Sequence, residues 1–387
     1  MNSTFDFDAL ISDRARSVDV SGIRRVFELG AKLKSPINLS IGQPDFPVPD
    51  PLKRAAIQAI ESDRNGYTLT QGVPELLATI SRHLAADVGW NAPSEDLGLI
   101  VTSGTSGALW LAFMAVLNPG DEVIAADPYF VLYPALGQVT GTSVVCCDTY
   151  PDFRLTAERV EPLITSRTKI LLLNSPSNPS GVVLTTQEIR DLVDLCESRG
   201  ILLISDEIYD EFTYSDARED GKCPSPARMT EQMLLVRGFG KTYGCTGWRL
   251  GYVAGPKPIV QQIQKLQQYT YVCAPSMAQA GVVGAFDVDM SSHVAAYQRK
   301  RDTVLEAFRE VATVEQPGGA FYAFVEVPKR LGLSASAFVE KAIEQSVLII
   351  PGKVFSRRDT HFRLSYAVPD KTLTAGLTIL TDLMRPA

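Results

Sequence analysis

Seven short apolar runs recur through the middle of the chain, and the helical stretches between them restrict the fold more than any other feature. The runs are 99–102, 122–126, 143–147, 169–173, 201–205, 233–236 and 250–254. Each is apolar at successive positions instead of alternating, which is the pattern of a strand covered on both faces. Helical stretches such as 108–117 and 186–199 separate them, and Thr185 with Glu188 forms a capping box before the second. Strand–helix alternation of this kind predicts an α/β fold, an open and mostly parallel seven-stranded sheet with helices on both faces. In such sheets ligands gather beyond the carboxyl ends of the strands.

The pattern changes after residue 285. A charged helical stretch, 297–310, leads into the segment 320–327 and a helix at 335–345, and strand-like runs at 347–350 and 361–365 follow. This reads as a smaller α+β lobe. No repeat, low-complexity tract or Pro/Gly linker separates the two parts, so they should pack as one unit.

With 387 residues there is volume for a large domain and a smaller one. A formal net charge of −7 argues against a protein that binds nucleic acid by neutralising phosphates. The six cysteines form no CxxC pair, which suggests reduced thiols in the cytosol and no disulfide framework. Asp6, Asp8 and Asp13 near the start leave no apolar core for a secretion signal, and the apolar run 108–117 is too short to span a bilayer. The expectation is a cytoplasmic protein with neither nucleic-acid nor membrane partners. Its three histidines, His83, His293 and His361, lack ligand spacing, so no metal site is expected.

Four motifs stand on this frame in order. Asn178-Pro179-Ser180-Gly181 follows the run 169–173, and Asp206-Glu207-Ile208-Tyr209 follows 201–205. Lys241 comes after 233–236 and the turn Gly238-Phe239-Gly240, with Arg249 eight residues beyond. Arg363-Leu364-Ser365-Tyr366 lies near the C-terminus. Alone, each has an ordinary explanation: Asn-Pro makes a turn, an Asp after a strand caps a helix, and a single lysine is a solvated charge. Together they resemble the class I and II aminotransferases, from Ser21 almost to the end of the chain.

That resemblance implies fold type I, with a large pyridoxal-phosphate-binding domain over 46–284 and a small domain made of 1–45 and 285–387. It implies pyridoxal 5'-phosphate as cofactor, because transamination needs an electron sink that no side chain supplies. Lys241 would carry the cofactor and move the substrate proton, since an amine condenses with an aldehyde and serves as a general base. Asp206 would pair with the pyridine nitrogen. Tyr209 and Asn178 would donate to the phenolic oxygen, and Phe130 would stack on the ring. Phosphate would sit on the Gly104-Thr105-Ser106 turn before a helix, a ready anion site, with Arg249 beside it. Tyr67 would reach the phosphate of the neighbouring subunit, which makes the protein a homodimer with shared sites. Arg363, helped by the Gly42 backbone, would clamp the substrate carboxylate, and Ile23 would line the side-chain pocket.

The chain also departs from the family pattern. Gly240 replaces the usual serine before the lysine, so that a hydroxyl contact to the phosphate is either missing or supplied by Thr242 or Ser106. Cys245 stands for a methionine, Ser180 for a threonine, and Ser356 for a glycine ahead of Arg357 and Arg358. The implied activity moves an amino group from an L-amino acid to a 2-oxo acid such as 2-oxoglutarate. Aspartate is the first donor to test, then aromatic amino acids or alanine. A β-lyase or a cyclase would use the same residues. A sensor without catalysis is disfavoured, because every position the chemistry needs is filled.

Overall fold

The computed structural model describes residues 6–18, 22, 26, 30 and 33–385. A two-residue strand, β1 (Ile37–Asn38), precedes the seven that make the central sheet. These are β2 (Leu97–Thr102), β3 (Glu122–Asp127), β4 (Ser143–Asp148), β5 (Thr168–Asn174), β6 (Leu202–Asp206), β7 (Met233–Gly238) and β8 (Gly251–Pro256). Across the sheet they run β2-β8-β7-β6-β5-β3-β4. β8 is antiparallel to both of its neighbours, and the remaining pairs are parallel.

The continuous apolar runs are explained by what covers them. Ile124, Leu171, Leu203 and Leu235 point to one face, where they pack with Leu76, Ile80, Ile189 and Leu192. Val123, Ile170, Leu172, Ile204 and Val236 point to the other, against Leu109, Phe113, Val260 and Ile263. Alternate residues of each strand therefore enter two separate cores, and neither face can be polar. β4, at the edge, is the strand with most of its residues partly or fully exposed; in the others exposure is confined to at most two positions.

Beyond the central sheet, β9 (Tyr322–Glu326) precedes two short strands, β10 (Val347–Leu348) and β11 (Ile350–Pro351), and then β12 (His361–Ser365). β9, β12 and β11 form an antiparallel sheet, while β10 pairs in parallel with β1. The helices Ser291–Phe308, Ala335–Glu344 and Asp370–Met384 close a separate core over these strands through Phe308, Phe338 and Leu377.

Two local expectations need correction. The run 347–350 is not one strand: it divides at the buried Ile349, because Val347 and Leu348 pair with β1 while Ile350 pairs with Arg363. The helix expected from residue 108 begins at Gly104. Gly, Thr and Ser have low helix propensity, and packing against the sheet overrides that preference.

All three histidines are packing residues. His83 stacks on Phe286, His293 on Phe46 and His361 on Phe324. Burial pushes His83 and His361 down to about 4. The six cysteines are free thiols. Among the described residues no helix is long and apolar enough to cross a membrane.

Candidate active site

Three adjacent parallel strands end beside one another, β5 at Asn174, β6 at Asp206 and β7 at Gly238. Their carboxyl ends open into a cavity of about 310 Å³. It is lined by Gly42, Gly104, Thr105, Ser106, Phe130, Asn178, Asp206, Tyr209, Lys241, Arg249 and Arg363. The fold thus gathers eleven of the thirteen residues singled out in the sequence. Tyr67 is elsewhere: its side chain is 87% exposed and lines a surface hollow with Arg64 and Ser276. Ile23 lies outside the described residues.

Lys241 enters from the turn after β7, and its Nζ donates to the backbone oxygen of Gly42. Burial, followed by the charges of Arg363 and Arg249, pushes its amine down to about 7. Its neighbour Gly240 has the backbone of Thr246 only 3.2 Å from where a Cβ would stand. A serine at 240 would therefore crowd this turn. Of the two hydroxyls considered as replacements, Ser106 lines the cavity. Thr242 does not. It is buried behind the turn with His83, Phe239 and Tyr243.

Asp206 is 2% exposed. Its Oδ2 accepts from the Tyr133 hydroxyl at 2.9 Å, while Oδ1 has no partner. Burial raises the carboxyl to about 6, against the lowering influence of Tyr133 and the Ile208 amide. Next to it, Glu207 forms a buried ion pair with Arg237 at 2.9 Å. Ser205 and Ser225 donate to the other oxygen of Glu207, and Asp87 pairs with Arg237 from a separate helix. This network anchors the ends of β6 and β7, from which Asp206 and the Lys241 turn project.

Arg249 has φ 54°, left-handed for a residue with a Cβ, a conformation that costs roughly 1–2 kcal/mol. The bend brings its guanidinium to the start of the helix Gly104–Val116. A Cβ on Gly104 would lie 2.9 Å from Arg249 Nη2, and Gly104 itself has φ +71°. Free helix N–H groups and a guanidinium thus share one corner of the cavity, the combination that holds an anion.

Arg363 on β12 occupies the opposite side. Its Nη1 donates to Asn178 Oδ1 at 2.9 Å and its Nη2 to the Ser40 backbone oxygen at 3.0 Å. The guanidinium lies between the rings of Tyr322 and Phe355, 4.4 and 4.5 Å from their centroids. Its Nε is buried without a partner. Five buried side-chain polar atoms lack partners among the described residues, and two of them, Asp206 Oδ1 and Arg363 Nε, belong to residues of this cavity.

Tyr209 meets Tyr322 hydroxyl to hydroxyl at 2.9 Å. Tyr322, Asn174 and Thr246 also line the cavity and escaped the sequence reading. The signal for Tyr322 was the aromatic pair after Gly318-Gly319-Ala320; for Asn174 it was the polar end of an apolar run. Ser356 is buried and shares a hydrogen bond with Tyr150 at 2.9 Å. Arg358 pairs with Asp148 and covers the Tyr150 ring, so this departure from the family pattern affects packing outside the cavity lining.

Residues 34–380 match the family model for aminotransferase class I and II, and the chain belongs to that family. Putative aminotransferase YugH of Bacillus subtilis is 35% identical over 379 residues, covering 95% of this chain and 96% of its own. A probable aspartate aminotransferase of Methanocaldococcus jannaschii is 33% identical over 384 residues, covering 97% and 100%. Among solved structures, the Thermus thermophilus aspartate aminotransferase with maleate superposes with a TM-score of 0.90 at 31% identity, covering 96% of this chain and 99% of that one. The fold is that of the type I aminotransferases, and the protein is an aminotransferase that works on an amino acid and a 2-oxo acid.

Proposed function

We propose that the protein is a pyridoxal-phosphate-dependent aspartate aminotransferase using 2-oxoglutarate as acceptor. It would work as a cytoplasmic homodimer in which Tyr67 serves the neighbouring subunit's site. The proposed division is a large domain, 46–284, and a small one, 1–45 with 285–387. The single observation that carries the reading is the convergence of Lys241, the open Asp206 Oδ1, Arg249 and Arg363 on one cavity.

The donor set fits that cofactor. An unpaired, buried carboxylate oxygen needs a cationic N–H, and a pyridinium provides one. The corner at Gly104 and Arg249 suits a phosphate. When bound, pyridoxal phosphate supplies an electron sink for the pair left as the substrate Cα–H bond breaks.

The chain's own residues do the rest. Lys241, its amine pushed down to about 7, would accept the proton released from the substrate Cα and hold it for return to the far side of the amino nitrogen. Asp206, through its unpaired Oδ1, would hold the ring nitrogen and favour its protonated form. Because Asn178 Oδ1 accepts from Arg363, its amide N–H groups would be left to donate to the cofactor's phenolic oxygen, together with the Tyr209 hydroxyl. Arg363 orients the substrate through its α-carboxylate, which aligns the Cα–H bond with Lys241. Aspartate is the proposed donor because several relatives are named for it, and the Thermus relative is described with maleate, a dicarboxylate.

An absorbance spectrum taken before and after L-aspartate, with no 2-oxo acid present, tests this. Stoichiometric loss of the lysine-linked cofactor band, with recovery on adding 2-oxoglutarate, is expected. A band that aspartate leaves unchanged would refute the donor assignment. Pyruvate and ammonia released without an acceptor would replace transfer with elimination. A protein that takes up no pyridoxal phosphate would refute the whole reading.

A further inference from the structure

The geometry points to Tyr133 as a positioning residue that fixes the Asp206 carboxylate and thereby sets where the proton lies between Asp206 and the cofactor's ring nitrogen. This rests on the proposed function and concerns a residue that no motif of the chain identifies.

Tyr133 opens the helix Leu132–Thr140 and is 2% exposed. Its ring meets Phe130 edge-on, with centroids 5.7 Å apart and planes at 85°, and its backbone N–H donates to Phe130 O at 3.0 Å. Phe130 itself lines the cavity. The ring is thus locked on one side by the residue proposed to stack on the cofactor, and the hydroxyl reaches across to Asp206 Oδ2. Of the two Asp206 oxygens, Oδ2 accepts from Tyr133, and Oδ1 is buried without a hydrogen-bond partner. Burial and the nearby Asp206 charge raise the Tyr133 phenol well above its ordinary value, so it stays protonated and acts as a donor.

A buried carboxylate beside a pyridine nitrogen has two arrangements, an ion pair with the proton on nitrogen or a neutral pair with the proton on oxygen. A hydrogen bond to the carboxylate stabilises its charged form. Tyr133 therefore favours the ion pair, the state in which the ring withdraws electrons most strongly. It touches neither substrate nor cofactor and acts only through Asp206.

The test is ¹⁵N NMR of pyridoxal phosphate labelled at the ring nitrogen and bound to the full-length protein. Tyr133→Phe removes one oxygen and retains the ring. The expected result is a nitrogen resonance displaced toward that of neutral pyridine, with kcat lowered on the order of tenfold or more and KM changed far less. Placing 3-fluorotyrosine at position 133 makes a stronger donor in almost the same volume and should move the resonance in the opposite direction. This arm carries the test if the phenylalanine variant does not fold. A cofactor-loaded variant whose nitrogen resonance matches the wild type would overturn the role of Tyr133. Failure of the wild type to take up cofactor would refute the proposed function before any variant is compared.

Discussion

Arg363 and Asn178, 185 positions apart, meet through a 2.9 Å hydrogen bond that ties β12 to the turn after β5. The contact joins the small antiparallel sheet to the central one at the wall of the cavity. Arg363→Lys would retain the charge but lose the planar fork, the contact with Asn178 and the stacking between Tyr322 and Phe355. Steady-state kinetics should show KM raised more than tenfold for both the amino acid and the oxo acid, with cofactor absorbance intact. Unchanged KM values would remove Arg363 from the substrate site.

Asp206 gives a stability prediction with a defined sign. Its folded-state value, about 6, exceeds the ordinary 3.8 because burial disfavours the charge. Folding is therefore penalised by the ionised group at pH 7, the penalty fades as pH falls through 6, and it is absent below about 4. Cofactor-free Asp206→Asn should be more stable than cofactor-free wild type at pH 7, by roughly 1–3 kcal/mol. Thermal unfolding at pH 7 and pH 4 would check this: the gap in Tm should shrink at the lower pH. The same variant should bind pyridoxal phosphate more weakly.

How much of this could be read from the sequence depended on the kind of interaction. The central sheet was legible because strands covered on both faces must be apolar throughout, and the ends of the runs marked Asp206 and the Lys241 turn. Lys241, Asp206, Tyr209 and Arg363 stood out because their motifs, taken together and in order, resemble those of the class I and II aminotransferases. Tyr133 and Tyr322 did not, since a buried tyrosine looks like any core aromatic until its hydroxyl is seen to meet Asp206 or Tyr209. The start of the helix at Gly104 was hidden for a different reason. Local propensity there opposes a helix that tertiary packing imposes.

Gly104 carries two constraints at once, a positive φ and the approach of Arg249 Nη2 to within 2.9 Å of a would-be Cβ. Gly104→Ala should destabilise the protein by about 1–2 kcal/mol and displace Arg249 from the helix start. Fluorescence titration with pyridoxal phosphate should show a higher Kd, while pyridoxal without phosphate should bind about as it does to wild type. Equal weakening for both ligands would argue that the corner does not hold the phosphate.

Lys241 in the cofactor-free protein should behave as an amine poised near pH 7. At pH 8 roughly nine-tenths of it would be neutral, whereas an ordinary lysine would be under one percent neutral. Reductive methylation followed by peptide mass spectrometry should label Lys241 with a rate that rises through pH 7 and levels off by about 8.5. A rate still climbing at pH 10 would mean that the two arginines and burial do not lower its proton affinity.

Lys241, Arg249 and Arg363 face a single carboxylate, Asp206, within one cavity. Small anions that settle there stabilise the folded chain by mass action, in proportion to the logarithm of their concentration over Kd. Supply of cofactor and substrate would then govern how long each molecule survives as well as how fast it turns over. A cell starved of them would open the protein more often to its proteases, and the enzyme's abundance would fall along with the demand for it.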